Sequence, residues 1–118
     1  MQDEYYGPAP NARVTINRLL ALPATGDEQD WEIELADPNK VEGMFELLAD
    51  RSLDLEERSA VALLLTHTVD ELHDDDEDTS ALVPRLRSLL ASDLEVLHRM
   101  RFYWSQLQTS DAIQEALN

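Results

Sequence analysis

The chain of 118 residues lacks cysteine and has only three glycines, and these shortages exclude several classes of chemistry. Without cysteine, neither a disulfide framework nor a thiolate zinc site can form. The glycines stand alone at Gly7, Gly26 and Gly43, so there is no glycine-rich loop of the kind that cradles phosphate. Acidic residues are so common that no pair stands out as a general acid and base. We therefore expect a protein that is not an enzyme and binds no cofactor.

Long apolar runs are also missing. No segment approaches the roughly 20 apolar residues that a membrane-spanning helix needs. Residues 1–6 are acidic and polar, whereas a secretory signal begins with a basic segment followed by an apolar stretch. Together with the absence of cysteine, these features predict a cytoplasmic protein.

Basic residues are scarce and unevenly distributed. Nine Lys and Arg stand against 25 Asp and Glu, for a formal net charge of −16. Residues 1–79 hold 21 of the acids and five of the bases, whereas residues 80–118 hold four of each and sum to zero. Such a field repels nucleic acid and anionic membranes, and it attracts a basic protein partner.

Two segments without Lys or Arg concentrate the negative charge. The first acidic stretch comprises Asp27, Glu28, Asp30, Glu32, Glu34 and Asp37, and the second comprises Asp70, Glu71, Asp74, Asp75, Asp76, Glu77 and Asp78. The simpler interpretation is a solvated surface that keeps the protein soluble. However, acids this close together repel one another at a cost in stability that solubility alone does not require. We therefore predict that a basic partner binds at Asp27, Glu28, Asp30, Glu32, Glu34, Asp74, Asp75, Asp76, Glu77 and Asp78.

Helical periodicity dominates the chain and predicts an all-α protein. We expect one domain over residues 11–118, folded as a compact antiparallel bundle of about five helices, with an N-terminal tail over residues 1–10. Residues 60–65 are apolar without interruption, which is typical of a helix at the centre of a bundle. Residues 31–35 alternate apolar and polar side chains, so we expect a short extended segment there.

Capping residues predict where the helices begin. An Asp or Asn side chain before an apolar-periodic run can accept from free backbone amides, and a proline fits the first helical position because it has no amide to lose. Three predicted helices begin after Asn11, Asp37 and Asp54, and a later one begins after Asp93. The helix between them opens at Thr79 or Ser80, or else starts near Val83, and a last turn or two covers residues 111–117.

Two pairs place a carboxylate three residues before a histidine on a predicted helix. They are Asp70 with His73 and Glu95 with His98. With two further Glu, such pairs build the di-iron centres of helix bundles. Acids are frequent enough in this chain for both pairs to arise by chance, and the helices are short for such a site, so we predict no metal centre. The acidic run after Asp74 also lacks the glycine and the final glutamate of an EF-hand loop.

Three consecutive aromatic residues, Phe102, Tyr103 and Trp104, fan over about 200° of a helix. Trp104 falls on the predicted core face, which turns Phe102 away from it. Either the last turns of the chain cover Phe102, or it is an exposed aromatic anchor at a protein interface. On the second interpretation, Phe102 joins the predicted partner-binding residues.

Residues 20–23 (Leu-Ala-Leu-Pro) and 26–38 (Gly-Asp-Glu-Gln-Asp-Trp-Glu-Ile-Glu-Leu-Ala-Asp-Pro) resemble a stretch of small acidic bacterial proteins of immunity-like or uncharacterised type. The resemblance extends over residues 18–73 and carries no catalytic motif. The resemblance favours an immunity-like protein and identifies no toxin. Together with the acidic charge, it predicts a non-enzymatic protein of the immunity or antitoxin type that neutralises a basic toxin, such as a nuclease, by covering its phosphate-binding surface with carboxylates. The alternative is a regulatory, scaffold or self-associating helical protein that binds another basic surface. The sequence leaves the oligomeric state open.

Overall fold

The computed structural model describes residues 4–25 and 28–118, and it is all helical within them. About 65% of the described residues are helical, and none of them forms a strand. The Cα radius of gyration is 12.9 Å. Seven α-helices are described: α1 (Pro10–Leu19), α2 (Trp31–Glu34), α3 (Val41–Leu48), α4 (Leu55–Asp74), α5 (Leu82–Ala91), α6 (Leu94–Ser105) and α7 (Asp111–Ala116), with a 3-10 turn at Pro38–Lys40 before α3.

Helix α4 is the central element of the bundle, as its all-apolar middle predicts. It packs against α1, α2, α3, α6 and α7, while α5 packs on α6 and α7. Residues Leu63, Leu64 and Leu65 are all fully buried. A helix surrounded on every side has no solvent face over its middle turns, which is why its sequence shows no amphipathic pattern there.

The segment at residues 31–35 is helical, so the extended conformation predicted for it is wrong. The amides of Glu34 and Leu35 donate to the carbonyls of Asp30 and Trp31 at 2.8 and 3.0 Å. Trp31 and Leu35 lie four residues apart and are both buried, which suits one helix face as well as a strand alternation. No neighbouring strand is described to satisfy an extended backbone, whereas a helical turn satisfies these groups locally.

The helix boundaries agree with some predicted caps and differ at others. Asp37 accepts from the amide of Asn39 at 2.9 Å, as predicted. Asp54 forms a capping box with Glu57, each side chain accepting from the other's amide at 2.8 to 2.9 Å. Asn11 is not the cap of α1, because Pro10 already occupies the first turn. Asp93 precedes α6 but makes no capping bond, since arginine side chains occupy its carboxylate instead.

The C-terminal end of α4 closes on a residue in left-handed conformation. Asp76 has φ +60°, and its amide and that of Glu77 donate back to the carbonyls of His73 and Leu72 at 3.1 and 3.0 Å. This is the hydrogen-bond pattern that usually places glycine at the left-handed position. An aspartate there imposes backbone strain within the second acidic stretch.

The segment before α1 is anchored to the bundle through an aromatic side chain. Tyr5 is buried in the hydrophobic core, and the Arg99 guanidinium lies 5.4 Å from its ring centroid. Burial in the neighbourhood of Glu56 raises the pKa of the Tyr5 hydroxyl above its ordinary value, because both disfavour a phenolate. The described part of the N-terminal tail therefore contributes to the core.

Candidate functional site

A cleft lies at the C-terminal half of α4. It encloses about 580 Å³ and runs between α2, α4 and the end of α6. We call it the acidic groove and define it by the residues that line it: Ile33, Ala36, His67, Asp70, Glu71, Asp74, Asp75, Trp104, Leu107 and Gln108.

One wall of the acidic groove is a double row of carboxylates on α4. Asp70 lies four residues before Asp74, and Glu71 lies four residues before Asp75, so each pair is separated by about one helical turn. No Lys or Arg is found among the described residues that line the groove. The carboxylates also lie at the negative end of the helix dipole, which adds to the field rather than offsetting it.

The other wall carries apolar side chains. Ile33 on α2 is 54% exposed and Leu107, just after α6, is 46% exposed, although both are large aliphatic residues. Trp104 lies beneath them and is almost fully buried. The groove therefore combines an apolar side with an anionic side, which suits an amphipathic cationic ligand better than a bare ion.

Three polar side chains link the groove to the interior. The Tyr103 hydroxyl donates to the Glu32 carboxylate and meets Nε2 of His67, both at 2.9 Å. Because the only hydroxyl proton goes to Glu32, Nε2 of His67 must carry a proton and donate to Tyr103. Desolvation, reinforced by the charge and hydrogen bond of Glu32, raises the pKa of Tyr103 above its ordinary value. This chain of bonds fixes the ring of His67 at the base of the groove.

His67 does not offset the charge of the carboxylate wall. Its burial lowers its pKa to about 4, because an imidazolium is poorly solvated inside the protein. The ring also stacks in a tilted arrangement on Trp104, with 4.5 Å between centroids. At neutral pH the histidine is therefore uncharged, and it adds no positive charge to the groove.

Several arginines of the bundle are engaged elsewhere. Arg58 and Arg51 both pair with the buried Asp93, at 2.8 and 3.2 Å. Two further pairs join helices across the surface, Arg99 with Glu56 at 2.7 Å and Arg85 with Glu42 at 2.8 Å. Each of these acids lies outside both acidic stretches, so these four arginines serve the fold and leave the groove wall without a basic neighbour from this group.

The first acidic stretch lies partly beside the groove and partly inside the molecule. Asp27 falls outside the described residues. Glu28 accepts from the amide and hydroxyl of Thr25 at 2.7 and 2.8 Å and so closes a turn. Asp30 and Glu34 are exposed at the two ends of α2. Glu32 is only 9% exposed and binds Tyr103, which differs from the surface role predicted for it.

The remaining predicted acids lie at the end of α4 and just beyond it. Asp74 and Asp75 line the acidic groove, whereas Glu77 and Asp78 line a second cleft of about 410 Å³ beside α5 and α7. The side chain and amide of Ser80 hold the pKa of Asp78 below its usual range by hydrogen bonding to its carboxylate. Asp76 lines neither cleft and occupies the left-handed position described above.

Phe102 lies apart from the acidic groove. Its ring is half-buried and makes an edge-to-face contact with Tyr6 of the N-terminal segment, with 5.2 Å between centroids. Tyr6 is itself 74% exposed. The sequence suggests the last turns of the chain as the cover for Phe102, whereas the ring contact seen in the structure comes from Tyr6 of the N-terminal segment.

The residues that sequence reasoning missed are the uncharged ones of the groove. Ile33 falls in the segment predicted to be extended, and the sequence does not single out Leu107 or His67. Ile33 and Leu107 are nevertheless exposed at the site. No local pattern identifies these three residues, because they come from three elements that meet only in the folded bundle. Large aliphatic side chains that stay exposed can mark a binding site, but their exposure is known only from the structure.

The described residues offer neither a metal-binding cluster nor a membrane-spanning helix. Within the described ranges, no three His, Asp or Glu side chains converge in a way that could hold a metal ion. Asp70 faces the acidic groove, while His73 lines the second cleft. Nor does any helix there combine the length and apolarity that crossing a bilayer demands.

Comparison with known proteins finds no match for this chain. No family model, curated protein or solved structure matches the chain. The resemblance to small acidic immunity-like proteins therefore stays a prediction.

Proposed function

We propose that this is a non-enzymatic binding protein that holds a basic segment of a partner protein in the acidic groove. The observation that carries the proposal is the juxtaposition of four carboxylates with two exposed aliphatic side chains across one cleft. Carboxylates alone serve solubility, and scattered exposed leucines are ordinary. A cleft that concentrates both is matched by a basic segment that also carries apolar side chains.

Two parts of the groove have different tasks in this proposal. The carboxylate wall draws the partner in and orients it, an effect that acts on the association rate and is screened by salt. Ile33 and Leu107 supply apolar contact that forms only after docking, so they govern the dissociation rate. Phe102, which lies outside the groove, is not part of the surface that we propose.

A basic toxin is the partner that the sequence resemblance implies. A nuclease carries a positive surface for phosphate, and carboxylates that cover this surface would block its substrate. In that case binding abolishes the partner's activity. Binding that leaves the partner active would instead indicate the regulatory or scaffold role.

The test uses two variants with the same change in charge. The groove variant carries Glu71→Gln, Asp74→Asn and Asp75→Asn, and the surface variant carries Glu4→Gln, Glu46→Gln and Glu95→Gln at exposed positions outside the groove. Partners are captured from the native cell on the unmodified protein, and the affinity of each captured protein is then measured against all three forms. We expect the groove variant to lose at least tenfold in affinity and the surface variant to lose much less.

Apolar contacts are tested with a second matched pair. Ile33→Ser together with Leu107→Ser should speed dissociation, whereas Leu94→Ser, at an equally exposed aliphatic residue outside the groove, should not. Equal losses in the groove and surface variants would reduce the acidity to a general field effect. That result, with unchanged dissociation from the serine variants, would overturn the proposed function.

A further inference from the structure

We infer that the element bound in the acidic groove is an amphipathic α-helix of the partner that presents Arg or Lys side chains four residues apart beside an aliphatic stripe. This inference rests on the proposed function and names the shape of the ligand. Its starting point is the construction of the groove from helices alone: α2, α4 and the end of α6.

The backbone of these walls excludes capture of an extended strand. Strand addition draws its affinity from the free amides and carbonyls of a sheet edge. The described part of the chain has no strand, and helical backbone groups already bond within their own helices. An extended ligand would leave its own backbone groups unpaired against side chains, whereas a helix satisfies these groups internally. Recognition in this groove must therefore run through side chains.

The spacing of the carboxylates matches a helical ligand. Asp70 and Asp74 form one row, Glu71 and Asp75 the other, and four residues of α4 advance by about 6 Å along the helix axis. A second helix lying alongside α4 presents side chains at the same repeat when its basic residues are four apart. In a strand, side chains on one face recur at about 6.6 Å. A helix therefore keeps register with both rows.

The aliphatic residues of the groove specify the stripe. Ile33 and Leu107 line the same cleft from α2 and from the end of α6, so a bound helix meets anionic groups from α4 and aliphatic groups from the other two elements. Helix-in-groove complexes place an apolar face against such a surface. The second cleft lacks this feature: its aliphatic side chain Val83 is buried, and its lining is acidic with Pro84 exposed. Charge complementarity alone does not distinguish the two clefts, but the apolar wall does.

The experiment uses two synthetic peptides of about 15 residues, a length at which an isolated helix is marginal in water. Both have the same Arg, Leu and Ala composition. In the first, Arg residues recur four apart beside a Leu stripe; in the second, the order is scrambled so that no helix face is apolar. Binding is measured by fluorescence anisotropy at moderate salt, and peptide helicity by the circular dichroism difference between mixture and components.

We expect the patterned peptide to bind at least tenfold more tightly than the scrambled one and to gain helicity on binding. The groove variant should lower this affinity at least tenfold, and the surface variant should not. Equal affinity of the two peptides, or binding without a gain in helicity, would overturn the helical inference while leaving the proposed function intact. Binding of neither peptide would also overturn it. The proposed function fails separately, when the captured partner ignores the groove variant.

Discussion

The two ends of α4 use their acidic residues in opposite ways. At the N-terminal end, Asp54 and Glu57 cap free amides and Glu56 pairs with Arg99 at 2.7 Å. At the C-terminal end, four carboxylates line an open groove whose described lining includes no Lys or Arg, and Asp76 holds a left-handed backbone conformation. The helix dipole favours acids at the first end and disfavours them at the second.

This difference separates acids that stabilise the fold from acids that cost it stability. The same residue type, on the same helix, is favourable where backbone amides are free and unfavourable where carbonyls are free. A helix optimised only for stability would carry lysine or arginine in its last turns. The reversed arrangement at the groove is the pattern expected where a surface serves binding at the expense of stability.

The largest effect that we predict comes from the buried ion pair near the N-terminal end of α4. Arg58→Ala should lower the free energy of unfolding by about 3 kcal/mol, because it leaves the buried Asp93 with only the exposed Arg51 as a partner. Chemical denaturation measures the change. Arg87→Ala, at an exposed arginine of α5, is the control and should cost less than about 0.5 kcal/mol. A loss for Arg58→Ala below about 1 kcal/mol would contradict the structural role of this pair.

The second prediction concerns pH and the base of the groove. The folded-state pKa of His67, about 4, lies below its ordinary value of 6.5. Between these two pH values, the unfolded chain therefore binds a proton at His67 that the folded chain does not bind. The stability that comes from keeping the buried ring neutral is present above pH 6.5 and is lost as pH falls toward 4. Allowing for the partial exposure of the ring, the loss should be about 2 kcal/mol.

The control for this pH effect is His67→Gln, which removes the titrating group and keeps a donor for Tyr103. Carboxylates titrate in both proteins, so their effect cancels in the difference between the two stability curves. We expect the free energy of unfolding of the wild-type protein to fall more than that of the variant between pH 7 and pH 4. Parallel curves would show that His67 is not held neutral by burial.

A smaller effect should come from the left-handed residue at the end of α4. Asp76→Gly should raise the free energy of unfolding by about 1 kcal/mol, since glycine adopts φ +60° without a steric penalty. Asp76→Ala removes the same charge but keeps a Cβ, so it separates backbone strain from charge repulsion. If Asp76→Ala stabilises the protein as much as Asp76→Gly does, the aspartate destabilises it through charge repulsion and not through backbone strain.

The smallest effect tests the asymmetry of the helix directly. Asp74→Asn with Asp75→Asn should stabilise the protein by about 0.5 kcal/mol, whereas Glu56→Gln should destabilise it by a similar amount. The signs differ because the first pair lies at the negative end of the dipole and Glu56 at the positive end. Thermal unfolding at low salt reveals both shifts. Two shifts of the same sign would contradict the claim that acids are favourable at one end of α4 and unfavourable at the other.

The sequence predicts the scaffold better than it predicts the site. The apolar run at residues 60–65 identifies α4 as the central helix, and Asp54 with its capping geometry marks where that helix begins. Both signals lie within a short stretch of sequence, so they can be recognised without knowledge of tertiary packing. The alternation at residues 31–35 gave a wrong prediction because a pattern of five residues fits a strand or one helical turn equally well. The two are distinguished only by whether another strand pairs with the segment, and the described residues form none.

The groove could be anticipated only in part. The second acidic stretch marks its carboxylate wall, because a run of charge is visible in any sequence. Its apolar wall joins Ile33 to Leu107, which lie 74 residues apart, and its base depends on Tyr103 meeting Glu32 across 71 residues. Such contacts are set by how the helices pack, and no periodicity within a single helix encodes them.

The most direct test of the central claim is the salt dependence of association between this protein and its captured partner. The association rate constant is measured at several ionic strengths by surface-plasmon kinetics for the wild-type protein, the groove variant and the surface variant. Our account predicts a steep fall with salt for the wild-type and surface forms, and a flatter line with slower association for the groove variant. Identical slopes for the two variants would contradict the claim that the carboxylates at the end of α4 form the docking surface.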